Sequence, residues 1–335
     1  MKKLKNLWII AAGLTLGLSA CGQTEEPKVS EEENIVEEQE EQIENQNTAD
    51  QQKEAIANHD FFEPFDGKID HIHGVGYVGN QGAPFFATHD GLKVYENGKW
   101  YKTKEQNHDY MGFNATKDGF YTSGHPGHDS NLPNPLGIQK SADNGQTLEM
   151  LDLEGETDFH VMGIGYEDPA IFVMNPHKNS KMQTEKFYLS EDHAKTWQEV
   201  QANGLEDTLI SVAVHPQKPD YLAAAGQQGI YLSSDKGENF EKITETGQGT
   251  SVFFTNDSLV YGSYDGNTKL IKRSLSDKTE KDITLPQMQE DAVMYFAQNP
   301  QNEQEMTFAS FNGNVYFTND SGSNWELLVE KGVFK

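Results

Sequence analysis

Two residue types are almost missing from this chain of 335 residues: it has one cysteine, Cys21, and one arginine, Arg273. A lone cysteine cannot form an internal disulfide. A lone arginine cannot build the bidentate guanidinium cluster that grips a sugar carboxylate, and lysine does not reproduce that geometry. Basic residues are scarce altogether, with 26 Lys and Arg against 53 Asp and Glu and a formal net charge of −27. Nothing here neutralises a row of phosphates, so nucleic acid is not an expected partner. No nucleotide cofactor is expected either. A long hydrophobic run is also lacking. The best candidate, LWIIAAGLTLGLSA at residues 7–20, is too short and too rich in small residues for a stable membrane span.

That run has a different use. MKKLKN gives it a positive start and LSAC closes it, which is the pattern of a bacterial lipoprotein signal with Cys21 as the residue to be acylated. The expectation is a signal peptide over residues 1–20 and a protein lipid-anchored to the bacterial cell membrane, facing outside the cytoplasm. Residues 22–58 hold twelve acidic side chains against Lys28 and Lys53, and no aromatic. Such a segment buries too little apolar surface to offset its ordering entropy, and self-repulsion extends it. Residues 21–58 therefore read as a lipidated cysteine on a disordered acidic tether, and residues 59–335 as one folded domain.

Four octets punctuate that domain: SADNGQTL from Ser141, SEDHAKTW from Ser190, SSDKGENF from Ser233 and TNDSGSNW from Thr318. Their starts differ by 49, 43 and 85 residues, so a degenerate copy is expected in the last gap, where IKRSLSDKTEKDI lies at residues 271–283. A weaker copy, VYENGKW at residues 94–100, precedes the first. Six units of this period indicate a propeller or a solenoid. Runs of β-branched and aromatic residues, separated by Gly, Asn, Asp and Pro, divide each unit into four strands. The fold expected is all-β, a six-bladed β-propeller with short protected edges.

The octet resembles the Asp-box, or BNR repeat, of sialidase-like β-propellers. The resemblance covers about residues 70–328. It implies that Asp143, Asp192, Asp235 and Asp320 are structural, accepting backbone N–H bonds within a turn. More narrowly, DHIHGVG, HDGL, HDYMGF and SGHPGHD…NPLGI are similar to bacterial lipoproteins grouped as glycosylhydrolases by their repeats. The superfamily holds sialidases, other glycosidases and binding proteins. The missing arginine cluster argues against a sialidase. Another glycosidase needs paired carboxylates, for which Asp70, Asp109, Asp129 and Asp158 are the catalytic candidates. Tyr110, Phe113 and Phe159 are candidates to stack on sugar rings.

The histidines make the strongest constellation. Eight of eleven fall between His71 and His177. In a blade whose strands run A to D outward from the axis, the D–A and B–C loops share one face. His71, His73, His108 and His160 enter at the A strands of blades one to three. His89, His125, His128 and His177 fall in the B–C loops of the same blades. All eight reach one rim, while His193 and His215 go to the opposite face. Aligning GVGY, GFNA and GIGY makes His73, Met111 and Met162 equivalent, and His71, Asp109 and His160 as well. Imidazole suits zinc, copper, nickel and iron, and thioether favours copper. The leading expectation is a metal site for copper, with zinc second, drawing on His71, His73, His108, His125, His128 and His160. His89, Asp109, Met111 and Met162 are expected to stand behind the ligands and orient them. Glycan binding or non-sialidase glycoside hydrolysis is the alternative, and a purely protein-binding propeller the third reading.

Overall fold

The computed structural model describes residues 54–335. The expected signal peptide, Cys21 and the expected tether up to residue 53 lie outside the described residues. The described residues include the last ones of the acidic segment. Residues 56–58 form a short 3-10 turn, and Ile56 is buried beside Phe61, Phe62 and Phe85. One apolar side chain with a place in the core is enough to order the last residues of the acidic segment.

Six antiparallel sheets follow one another along the chain, each built from consecutive strands. Strand A of blade one is Ile72–Tyr77, followed by Pro84–Thr88, Gly91–Glu96 and Lys99–Thr103. Blade two runs Asp109–Thr116, Gly119–His125, Ile138–Ser141 and Glu149–Asp152, and blade three begins at Met162–Ile164 and Ile171–Asn175. Two blades carry a fifth strand: Phe62–Pro64 pairs outside strand D of blade one, and Val333–Phe334 pairs outside Glu326–Glu330 of blade six. The fold is a six-bladed β-propeller. Among the described residues no helix is long and apolar enough to cross a membrane.

An apolar cluster fills each junction between neighbouring blades. Phe85 and Phe120 meet between blades one and two, Tyr121 and Ile171 between two and three, Phe172 and Leu222 between three and four. The ring closes where the chain's ends cross. The Ile69 amide donates to the Gly332 carbonyl at 2.9 Å, and Phe334 stacks on Trp100 at 5.1 Å and meets Phe65 edge-on.

The four octets are four copies of one hydrogen-bonded turn. In the first, Ser141 Oγ donates to Asp143 Oδ1 at 2.9 Å and accepts from the Gly145 amide at 2.8 Å. Asp143 also accepts from the Thr147 amide and hydroxyl, at 2.9 and 2.7 Å. The pattern recurs around Asp192 with Thr196, and around Asp235 and Asp320 with the backbone and side-chain amides of Asn239 and Asn324 as donors. Each carboxylate is consumed by its own turn. The degenerate copy in blade five keeps a reduced version, Asp277 Oδ1 accepting from the Thr279 amide and hydroxyl. Blade one replaces the box with a two-residue Asn97–Gly98 hairpin, both residues at positive φ.

Candidate metal centre

Strand A of blade one carries a β-bulge. Its register with strand B slips between Ile72 and Gly74, leaving His73 as the extra residue. A bulge re-aims a side chain, and here His73 is turned to the mouth of the axial cavity. That cavity is about 200 Å³, and His160, Met162 and Asn114 line it as well. Blades four, five and six bulge at the corresponding place, each leaving one residue out of register. Blade two bulges between Met111 and Asn114.

His89 comes from the B–C turn of blade one, and that turn is firmly built. Thr88 Oγ1 donates to Asp90 Oδ1 at 2.9 Å or to the Gly91 carbonyl at 2.7 Å. Lys93, fully buried, reaches the Asp90 carboxylate and the Asp90 carbonyl, both at 2.9 Å. Gly91, at φ +93, turns its amide onto the His108 carbonyl of blade two. Asp109 opens strand A of blade two. Its Cα pairs with that of His125, and Gly124 permits this because a Cβ there would lie 1.9 Å from the Asp109 carbonyl oxygen.

These three residues converge. His73 Nε2 is 3.2 Å from His89 Nδ1, His89 Nδ1 is 3.0 Å from Asp109 Oδ1, and His73 Nε2 is 3.7 Å from Asp109 Oδ1. They are the group of three among the described residues whose ligand atoms all lie within 4.8 Å of one another. Asp109 Oδ1 is buried and takes no hydrogen bond despite the two nearby imidazoles. Burial, followed by the charges of His89, His71 and His160, pushes His73 down to about 4, with Asp109 pulling the other way. His73 is therefore a neutral imidazole at physiological pH, the form that coordinates.

A second imidazole–carboxylate group adjoins the first. Asp158 Oδ2 lies 2.5 Å from His160 Nε2 and 3.2 Å from His125 Nε2. His125 Nδ1 meets Asn134 Oδ1 at 2.7 Å. The His160 hydrogen bond to Asp158 raises its proton affinity; burial opposes this, and the charges of Asp158 and Asp109 add to it.

The other named residues are distributed as follows. His71 is exposed beside the first group, its ring 5.0 Å from that of His89. His108 is buried with both nitrogens engaged: Nδ1 accepts from the Gly127 amide and Nε2 donates to Gln106 Oε1, each at 2.9 Å. It holds the strand entry and has no nitrogen left for a metal. His128, Asp129 and His177 are exposed and outside either group, and Asp70 is exposed opposite Lys68. Met162 is buried in the apolar cluster between blades two and three and also lines the axial cavity with His73, and Met111 is half-buried. Tyr110, Phe113 and Phe159 are core side chains with at most 6 % exposure; they cannot stack on a sugar. Arg273 is paired with Glu280 at 2.6 Å in blade five.

What sequence reasoning missed is the inner position of His89 and Asp109. The order of strands and loops sends His73 to the rim, but the bulge that leaves it out of register makes no mark in the spacing. The available signal was THDG itself, a tight turn with a histidine at its tip beside an aspartate-led strand.

Comparison with known proteins agrees with this architecture. Residues 137–285, which span blade two's strand C to the end of blade five, match the Sortilin-Vps10 family model, described as sortilin, neurotensin receptor 3. No curated protein matches the chain in sequence. Among solved structures, the GH74 xyloglucanase from Xanthomonas campestris aligns with 80 % of this chain and 46 % of its own, at 14 % identity and a TM-score of 0.52. The extracellular domain of the one component system BT4673 from B. thetaiotaomicron aligns with 82 % of this chain and 35 % of its own, at 13 % identity and a TM-score of 0.50. The chain thus spans less than half the length of either, and the likeness is one of fold. It is a six-bladed propeller whose central blades are similar to the sortilin family and whose whole ring is similar to the propellers of larger proteins.

Proposed function

We propose that the rim between blades one and two binds a divalent transition-metal ion through His73, His89 and Asp109. The observation that carries this reading is the triangle of donor atoms. Its edges are 3.0, 3.2 and 3.7 Å, and a tetrahedral ion with bonds near 2.0–2.1 Å requires edges of about 3.3 Å. Two imidazole nitrogens and a carboxylate oxygen stand this close together, and the oxygen is buried with no hydrogen bond, an arrangement that suits a shared cation. The donor set of the triangle is two imidazoles and a carboxylate. That moves the preference from copper to zinc, with other borderline divalent ions behind. The acidic composition favours cations as ligands, and the reading includes a lipid anchor at Cys21 that would hold the protein on the outer side of the bacterial membrane. Cys21→Ala should release it from the membrane fraction.

Elemental analysis of the purified protein, then titration of the chelator-treated protein with Zn(II), Cu(II) and Cu(I), tests the metal reading. One equivalent bound, zinc or copper, supports it. Glycan processing is the alternative, resting on the rim carboxylates Asp109 and Asp158. It predicts turnover of aryl glycosides or glycan-array binding that chelator leaves unchanged.

A further inference from the structure

We propose that His160 supplies the fourth ligand of this metal centre through Nδ1, and that Asp158, His125 and Asn134 are positioning residues behind it. The inference rests on the metal reading above and completes its ligand set.

Three ligand atoms leave a tetrahedral ion one position short, and two further histidines adjoin the group: His71, in ring contact with His89, and His160, which lines the cavity beside His73. His71 has no carboxylate behind it, because its neighbour Asp70 faces Lys68. His160 has one. Its Nε2 is taken by Asp158 at 2.5 Å, while its Nδ1 makes no hydrogen bond among the described residues. A metal-bound histidine nearly always gives its second nitrogen to a carboxylate, a carbonyl or water, which fixes ring orientation and strengthens the ligand. Asp158 is itself held. His125 Nε2 is 3.2 Å from the same oxygen, and Asn134 fixes the far side of His125 at 2.7 Å. The result is a chain, Asn134–His125–Asp158–His160, drawn from blades two and three and ending at the axial mouth.

His160 and His73 line that mouth together. Each group also feels the other electrostatically, His160 acting on His73 and Asp109 on His160. His160 lies outside the 4.8 Å group, and its side chain is 59 % exposed, so coordination requires the ring to pivot about its hydrogen bond to Asp158.

The test measures zinc affinity by chelator competition and the visible spectrum of the Co(II)-loaded protein, for the wild type, His160→Ala, Asp158→Asn, His71→Ala and His73→Ala. Near-UV circular dichroism confirms the fold of each, and Asp158→Asn keeps the side-chain volume. The proposal expects His160→Ala to lose at least about tenfold in affinity and to change the cobalt spectrum. Asp158→Asn should lose about 10–100-fold while keeping the wild-type spectrum. His71→Ala should match the wild type. Unchanged affinity and spectrum in His160→Ala, beside lost binding in His73→Ala, would overturn the fourth ligand and leave the three-ligand centre standing. A His71→Ala variant with the effects expected of His160→Ala would overturn it in favour of His71. A wild type that binds neither ion overturns this inference together with the function beneath it.

Discussion

Asp109 and His125 are register partners across strands A and B of blade two, yet their side chains serve different groups. Asp109 reaches His89 of blade one at 3.0 Å, and His125 reaches Asp158 ahead of blade three at 3.2 Å. One backbone pair in blade two therefore ties together two imidazole–carboxylate clusters from three blades. Gly124 makes the pairing sterically feasible.

Gly124→Ala should damage both clusters at once. A Cβ would stand 1.9 Å from the Asp109 carbonyl oxygen, at a backbone φ of +116. Relief requires strand A or B to move, and an L side chain at such a φ adds about 1–2 kcal/mol of strain. The expected outcome is a lower melting temperature and metal affinity reduced more than tenfold. A variant that melts and binds as the wild type would contradict the close-approach argument.

Lys93 is expected to matter for binding without touching the ion. It clamps the turn that carries His89 through Asp90. Lys93→Met keeps most of the apolar stem but releases the turn. Metal affinity should fall by about tenfold, in the range for residues that orient a ligand, with the propeller still folded. Titration of the variant beside His89→Ala checks this, the latter losing more.

The Asp-boxes should separate stability from binding. Asp143→Ala removes the acceptor for Ser141 and for both donors of Thr147. The turn is partly exposed, so the loss should be about 1 kcal/mol, read from denaturant unfolding. Zinc affinity should be unchanged, because the box lies on the face opposite the histidine rim.

The folded protein should lose stability between pH 7 and pH 5. Burial lowers the proton affinity of His108 and of His215, the latter with the Asn256 carbonyl opposing and Lys218 assisting. His73 is held down in the same sense, to about 4. A histidine depressed on folding stabilises above its unfolded value of about 6.5 and loses that contribution as pH falls towards the folded value. His160, raised by Asp158, works oppositely: its contribution is present below the unfolded value and is lost as pH rises through the folded one. Three depressed groups outweigh one raised group. Melting temperatures of chelator-treated protein should fall over this range, and His215→Phe should flatten the slope. A melting temperature that rises on acidification would refute the balance.

Much of the architecture is legible in the sequence. SSDKGENF at residues 233–240 and its three relatives announce their turns because the bonding is local: a hydroxyl at position one and a carboxylate at position three meet donors within four residues. The run LISVAVHP in blade four reads as a strand because alternation and β-branching are local as well. The rim was legible for the same reason, since loop order alone sends His73, His89 and His160 to one face. Which of them touch was not. That depends on a bulge at His73, on the buried Lys93 clamp, and on a cross-strand register at Asp109, all of which are non-local or invisible in spacing. Tyr110, Phe113 and Phe159 show the converse error: an aromatic at a rim-proximal strand position is as easily turned into the core as onto the surface, and strand phase near a bulge decides which.

The most direct measurement is calorimetric titration of the chelator-treated protein with Zn(II), side by side with a His73→Ala/His89→Ala/Asp109→Asn variant shown by circular dichroism to be folded. The account predicts one equivalent bound micromolar or tighter by the wild type, and binding weakened at least about a hundredfold in the variant, since three ligands are lost. Wild-type binding no tighter than millimolar, or the same affinity in the variant, would contradict it.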